Sequence, residues 1–278
     1  LLYYYVSLIP IRGSVSGGWM ITIVTPTYNR AYFLPRLYGS LCQQNIRCFE
    51  WLIIDDGSTD HTFDFISRCI GSADFKVNYH YQKNGGKHRA INTAISRASG
   101  DWILIVDSDD LLTHDAVDKL YRYINDIDSE FVGMCFRKAT LSGQIIGALE
   151  VSFNKTMVMN PTMAGHILKG DLAYLFRTKV MKICPFPEFK NENFVPELYV
   201  WNKISDVGKI IFYVDQIIYI CEYLPDGYTN NFKRNLKSNP HGFGVFYRDQ
   251  IIRDVRWIGK IKACIRSFQC IIYSCLRK

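Results

Sequence analysis

The chain has 278 residues, 48% hydrophobic and 21% charged, with 33 basic against 26 acidic side chains for a formal charge of +7. That composition excludes disorder, collagen-like repeats and a disulfide-stapled miniprotein, and no apolar run is long enough to mark a transmembrane span. Seven basic residues and one acidic residue lie within 253–278, so +6 of the charge sits there and the body is nearly neutral. A near-neutral body argues against a nucleic-acid surface, which needs basic residues across the binding face. The nine cysteines are scattered, with no Cys-x-x-Cys pair and no His cluster beside them. They read as reduced thiols of a cytosolic protein occupying core positions rather than as a zinc centre.

Residues 1–19 carry a single charge, Arg12, end in Gly17-Gly18, and precede Met20. Their apolar start suggests a signal peptide, but no basic stretch precedes it. The expectation is a natural start at Met20, with 1–19 an upstream extension. From there short apolar runs alternate with stretches of helical period. Strands are predicted over 21–25, 51–55, 76–81 and 102–106. Helices are predicted over 32–41, through Phe63, Ile66 and Ile70, and over 87–98. Successive β-α units imply a parallel sheet flanked by helices, an α/β fold whose ligands bind beyond the carboxyl ends of the strands. Past about residue 125 the alternation breaks down. Strands are predicted over 131–136, 145–151 and 172–176, a helix over 196–207, and a strand pair over 210–214 and 217–222. No linker separates the two halves, which read as one domain.

Three strand ends carry the chemistry. Asp107-Ser108-Asp109-Asp110 follows the fourth strand. Three carboxylates in four positions repel one another unless a cation or hydrogen-bond donors intervene. Mg2+ or Mn2+, hard ions that bind through one or two carboxylates plus substrate phosphates, would suit them. The alternative is an acidic turn capping the helix that begins near Thr113. Asp55-Asp56-Gly57-Ser58-Thr59-Asp60 ends the second strand. Gly57 and Ser58 are explained by a turn and a helix cap, but two adjacent carboxylates are not. At the first strand's end, Tyr28 offers an aromatic face for a base, or a buried ring in a turn.

Taken together, Ile23-Val-Thr-Pro-Thr-Tyr-Asn-Arg30, Ile53-Ile-Asp-Asp-Gly-Ser-Thr-Asp60 and Ala98-Ser-Gly-Asp-Trp-Ile-Leu-Ile-Val-Asp-Ser-Asp-Asp110 resemble glycosyltransferase family 2 over roughly 20–125. The resemblance implies a GT-A fold, a UDP-sugar donor, a divalent metal and inversion at the anomeric carbon. Gly85-Gly86-Lys87-His88-Arg89-Ala90-Ile91-Asn92 and Phe194-Val-Pro-Glu-Leu-Tyr-Val-Trp201 bring it nearest to bacterial capsule, exopolysaccharide and O-antigen enzymes. By that resemblance Asp56 holds the uracil, Pro26 and Tyr28 line the base pocket, Asp107 contacts the ribose side, and Asp109 ligates the metal. Lys87, on a glycine loop, suits the diphosphate as a compact point charge. His88 and Arg89 receive no role. Residues 20–125 would form the nucleotide-sugar-binding half and 126–252 the acceptor-side half.

Inversion needs a base for the acceptor hydroxyl. Many family members carry a Glu-Asp pair just before a helix, and this chain does not. Glu197, opening the 196–207 helix, is the best match, with Glu192 in reserve. Two rival functions stand beside this one. A nucleotidyltransferase would release pyrophosphate, but no Gly- and Arg-rich phosphate loop follows the first strand. A non-catalytic sugar-nucleotide or membrane-binding scaffold fits the missing pair but not the intact carboxylate cluster.

The last expectation concerns 253–278. At helical spacing Trp257, Ile258, Ile261, Cys264, Ile265 and Phe268 begin one continuous apolar face, with Arg256, Lys260, Lys262 and Arg266 outside it. A basic amphipathic helix of this kind is expected on an anionic membrane surface. The protein would then be cytoplasmic and peripheral on the inner face of the cytoplasmic membrane, suiting a lipid-linked saccharide acceptor. The alternative is a terminal helix packed on the domain with its basic side solvated.

Overall fold

The computed structural model describes residues 19–148, 155–221 and 232–276. The extension expected over 1–19 lies outside the described residues save for Trp19. In chain order the alternating part comprises β1 (Ile21–Thr27), α1 (Leu34–Cys42), β2 (Phe49–Asp55), α2 (Thr62–Ser72), β3 (Lys76–Tyr81), α3 (Lys87–Arg97) and β4 (Trp102–Ile105). Then come β5 (Leu111–Leu112), α4 (Ala116–Asp126), β6 (Phe131–Ala139), β7 (Thr156–Val158), α5 (Pro161–Leu168), β8 (Leu172–Arg177) and α6 (Thr178–Ile183). The remaining elements are α7 (Glu197–Val207), β9 (Lys209–Ile220), α8 (Phe232–Ser238), α9 (Pro240–Arg253) and α10 (Trp257–Cys275).

One sheet runs through both halves in the order β3-β2-β1-β4-β8-β6-β9-β5, with β7 also pairing β9. The first four strands are parallel, and β8 runs antiparallel to β4 and β6. Both faces of the parallel part are covered. Ile21, Ile23, Trp51, Ile53, Trp102 and Leu104 pack with α1, α2 and α4. Their neighbours Val24, Leu52, Ile54 and Ile103 pack with α3 and α7 on the other side. Successive strand residues point to opposite faces, so burial on both makes these strands read as continuous apolar runs.

Two expectations in the second half are corrected. No strand occupies the described part of 145–151: Ile145 makes one isolated bridge to Ala139, and residues 149–154 lie outside the described residues. The strand of this region is β7, which borders β9. The expected pair over 210–214 and 217–222 is the single strand β9. Its pairing with β6 steps from Phe136↔Tyr213 to Arg137↔Ile217, so 214–216 bulge out. The polar Asp215-Gln216 of that bulge reads in sequence as a turn.

Glu50 on β2 is buried, yet charged. It accepts from Ser99 N at 3.0 Å, Ser99 Oγ at 2.7 Å and Thr22 Oγ1 at 2.7 Å, and lies 3.1 Å from the Lys76 ammonium. Burial alone would raise its carboxyl; these donors outweigh burial and hold it down to about 2. A carboxyl held below its unfolded value near 4.3 stabilises the fold above that pH, here by about 3 kcal/mol, and the contribution is lost as pH falls toward 2. Glu50→Gln is therefore expected to cost about that much at pH 7, with the gap to wild type closing on acidification. Denaturant unfolding at both ends of that range checks this; a deficit independent of pH would contradict it.

Candidate active site

The parallel strand order places β1 between β2 and β4: the chain steps outward from β1 through β2 to β3 and then crosses back to β4, so the direction of winding reverses beside β1. Such a reversal opens a crevice at the carboxyl edge, bounded by the loops after β1 and β4. At that edge Lys87 joins two segments far apart in sequence. Its ammonium lies 2.6 Å from Asp107 Oδ1, in the loop after β4, and 2.8 Å from Glu197 Oε1, at the first residue of α7. Burial works against a charged Lys87, but Asp107 and Glu197 outweigh it and hold the ammonium well above its ordinary range. Burial would likewise raise Asp107, and Lys87, Lys138 and Arg30 reverse this and keep it ionised.

Lys87 owes its place to Gly86. That residue has φ +94°, and a Cβ there would sit 2.0 Å from the Asn193 carbonyl oxygen. Only glycine lets the loop approach the 192–193 segment so closely. Asp56 builds the same loop: its carboxylate accepts from Gly85 N at 2.9 Å, Gly86 N at 2.7 Å and Gln82 Nε2 at 2.7 Å. A carboxylate has about four lone-pair positions, so these three donors among the described residues leave one of them uncommitted. Tyr28 is 49% exposed beyond β1, while Pro26 is buried opposite Ile54. Asn29 (φ 52°) ties the first two strand ends together, its N–H donating to Ser58 Oγ at 2.8 Å and its Oδ1 accepting from Thr59 N at 2.8 Å.

Glu192 is not in this cluster. It is 1% exposed in its side chain, and both carboxylate oxygens cap α9, accepting from His241 N at 2.9 Å and Gly242 N at 2.8 Å. A carboxylate so enclosed is closed to an acceptor hydroxyl, so of the two Glu candidates only Glu197 stands at the site. Arg89 proves to be a clamp between the halves, donating to the carbonyls of Gly85, Glu192 and Phe189 at 2.6, 2.7 and 2.7 Å. His88 is buried, and burial together with the Arg89 charge pushes its titration down.

Two residues at the site, Tyr219 and Lys138, were not picked out in the sequence. The Tyr219 hydroxyl, on β9, accepts from Asp107 N at 2.9 Å and donates to Asp110 Oδ2 at 2.8 Å. Lys138, on β6, lies 3.9 Å from the Tyr219 ring centroid and 4.0 Å from Asp110. Burial and the Asp107 charge raise Asp110 to about 7. The basic pair Arg137-Lys138 in an otherwise apolar strand was the available signal. Because Tyr219 fixes the backbone of the carboxylate loop, Tyr219→Phe is expected to lower turnover about 10–100-fold while the ring keeps its packing. Steady-state kinetics beside a thermal melt checks this; lost stability at undiminished turnover would make Tyr219 structural only.

Burial and the Asp107 charge also raise Asp109, whose ionised form is held at a cost. A cation beside it would reverse that. Among the described residues no group of three or more His, Cys, Asp or Glu side chains forms a metal cage. The chain would thus supply one or two carboxylates and leave the remaining positions to phosphate oxygens and water, the habit of Mg2+. The donor set fits a hard divalent ion.

The profile described as Glycosyl transferase family 2 matches residues 22–179, more than half the chain. Hyaluronan synthase of Pasteurella multocida is 30% identical over 211 residues, which are 74% of this chain and 21% of that protein. The chain spans well under half the length of the curated relatives it matches. Among solved structures, residues 1–349 of S. aureus TarS in complex with UDP superpose with a TM-score of 0.63 at 19% identity, covering 91% of this chain and 70% of that one. The mannosyltransferase PcManGT from Pyrobaculum calidifontis, in complex with GDP-Man and Mn2+, gives 0.59 at 18% identity over 91% of this chain and 73% of that one. These neighbours share the sheet and its flanking helices. The chain belongs to glycosyl transferase family 2 and has the GT-A fold.

Proposed function

We propose that this chain is an inverting, metal-dependent glycosyltransferase. It moves a sugar from a UDP-sugar to a hydroxyl of a saccharide or lipid-linked saccharide, in bacterial surface-polysaccharide synthesis at the inner face of the cytoplasmic membrane. The observation that carries the reading is the Lys87 ammonium held between Asp107 and Glu197 at the carboxyl edge of the sheet. The UDP and Mn2+ in the neighbours' complexes lend it support. In this reading 20–125 bind the nucleotide sugar and 126–252 face the acceptor.

The uracil stacks on the exposed Tyr28 ring beside Pro26, and the remaining lone pair of Asp56 accepts its imide N–H. Asp107 meets the ribose side, and Lys87 meets the diphosphate as a fixed positive charge. Asp109, with Asp107 near it, would hold Mg2+ or Mn2+, which when bound offsets the charge left on the departing diphosphate. Glu197 takes the proton of the acceptor hydroxyl as that oxygen attacks the anomeric carbon and the bond to UDP breaks, a single displacement. Lys87 has two carboxylate partners before the donor arrives. A diphosphate competing for it loosens its hold on Glu197, so donor binding readies the base.

A donor screen with UDP-glucose, UDP-galactose and their N-acetylated forms tests the reading. Release of UDP with at least one of them is expected. Pyrophosphate as the product, or UDP binding with no donor consumed alongside any acceptor, would overturn it.

A further inference from the structure

The helix α10 is attached by its small side chains and presents its large ones to solvent. Ala263, Ser267 and Cys270 are buried where α10 lies against α9. Trp257 is 81% exposed and Phe268 63%, and Ile258, Ile261, Ile265 and Ile271 between and beyond them are exposed as well. Just before the helix in the chain, Val255 and Ile252 are exposed at 75% and 80% as well. The two alternatives weighed for this helix concern different faces of it. It is packed on the domain, and the apolar face read from the sequence is the one left uncovered. A contiguous apolar patch of this kind marks an interaction surface.

The charges around it decide what covers it. At about 100° per residue, Lys260 and Lys262 fall at the two edges of the apolar arc, where their stems can lie along it and their ammonium groups reach outward. No Asp or Glu occurs after Asp254, while residues 253–278 carry most of the chain's net charge. Symmetric pairing of two copies through this face would bring lysines toward lysines with no carboxylate on the helix to meet them. A layer of negative headgroups over an apolar interior complements both features. Among the described residues no helix is long and apolar enough to cross a membrane, so this one lies on the surface.

We propose that the exposed face of α10, with Val255 and Ile252, inserts into the interface of an anionic bilayer, with Lys260 and Lys262 at the phosphate level. The face is also tied to the active site. Ser274, near the end of α10, lies 3.1 Å from His241 Nε2. His241 Nδ1 is 2.7 Å from Glu192, whose neighbour Asn193 walls the Gly86 loop. A docked α10 therefore fixes how Lys87 and Glu197 face the membrane. The use of this orientation for a lipid-linked acceptor rests on the function proposed above, whereas the lipid binding does not.

Deleting the helix is a poor test, because Cys270 packs with Leu236 and Phe243 in a small core of its own. The full chain should instead be sedimented with phosphatidylcholine vesicles containing or lacking phosphatidylglycerol. Binding is expected only to the anionic vesicles and should weaken as salt is raised. The double variant Lys260→Gln/Lys262→Gln should bind them roughly 10–30-fold more weakly, and Ile261→Asp/Phe268→Asp should abolish binding. Both should keep the wild-type melting temperature and UDP release. A wild-type chain that ignores anionic vesicles overturns the proposal. So does one that dimerises through this face, seen as dimers in sedimentation that Ile261→Asp/Phe268→Asp converts to monomers. Vesicle binding without UDP release would sink the proposed function and leave the lipid surface standing.

Discussion

Glu197→Gln is expected to lower turnover by about 10²–10⁴-fold while leaving UDP affinity nearly unchanged. Gln keeps the volume of the side chain and an oxygen for Lys87, 2.8 Å away in the wild type, but it cannot take a proton from the acceptor. The carboxylate stands at the first residue of α7, where the helix dipole favours negative charge by about 0.3–1 kcal/mol. That dipole effect alone would make Glu197 a structural acid. The two roles separate cleanly: a structural acid loses stability on substitution with little change in turnover, whereas a base loses turnover with little change in stability. Steady-state kinetics and a thermal melt on one preparation decide between them, and turnover within tenfold of wild type would remove Glu197 from the mechanism.

Asp109→Ala is expected to abolish turnover and the metal-dependent part of UDP binding, with no loss of stability. Burial and Asp107 raise the Asp109 carboxyl, so at neutral pH its ionised form opposes folding of the metal-free chain. The sign follows from linkage: an acid whose folded value is raised weakens the fold as pH rises through it, and Ala removes that penalty. The metal-free variant should therefore melt no lower than wild type. Calorimetric titration of UDP with and without Mn2+, beside a melt, checks both halves. Near-normal activity would exclude Asp109 as the metal ligand.

The loops proposed to hold the nucleotide were legible because parallel strands covered on both faces are written as short apolar runs. The loops that follow β1, β2 and β4 stand out against them: Tyr28, Asp56, Asp107 and Asp109 are polar residues at predictable strand ends. Gly86 and Lys87 were legible for a related reason, since a glycine pair before a helical period marks a loop turning into a helix. The second half resisted reading. Bulges in β9 disguise one strand as two, and β7 is too short to show a period. Tyr219 reaches Asp107 and Asp110 only because β5 and β9 pair across more than a hundred residues of chain, a contact that no local pattern encodes. Glu192 and Glu197 look alike in sequence, as acids near a helix start. What separates them is tertiary: one caps the buried start of α9, and the other faces Lys87.

The central claim is that this cluster performs a single displacement at the anomeric carbon. Proton NMR of the reaction on an α-linked UDP-sugar, followed from the first turnovers, tests it most directly. The account predicts UDP together with a product whose anomeric proton has the β configuration. An α-configured product, or pyrophosphate in place of UDP, would contradict it.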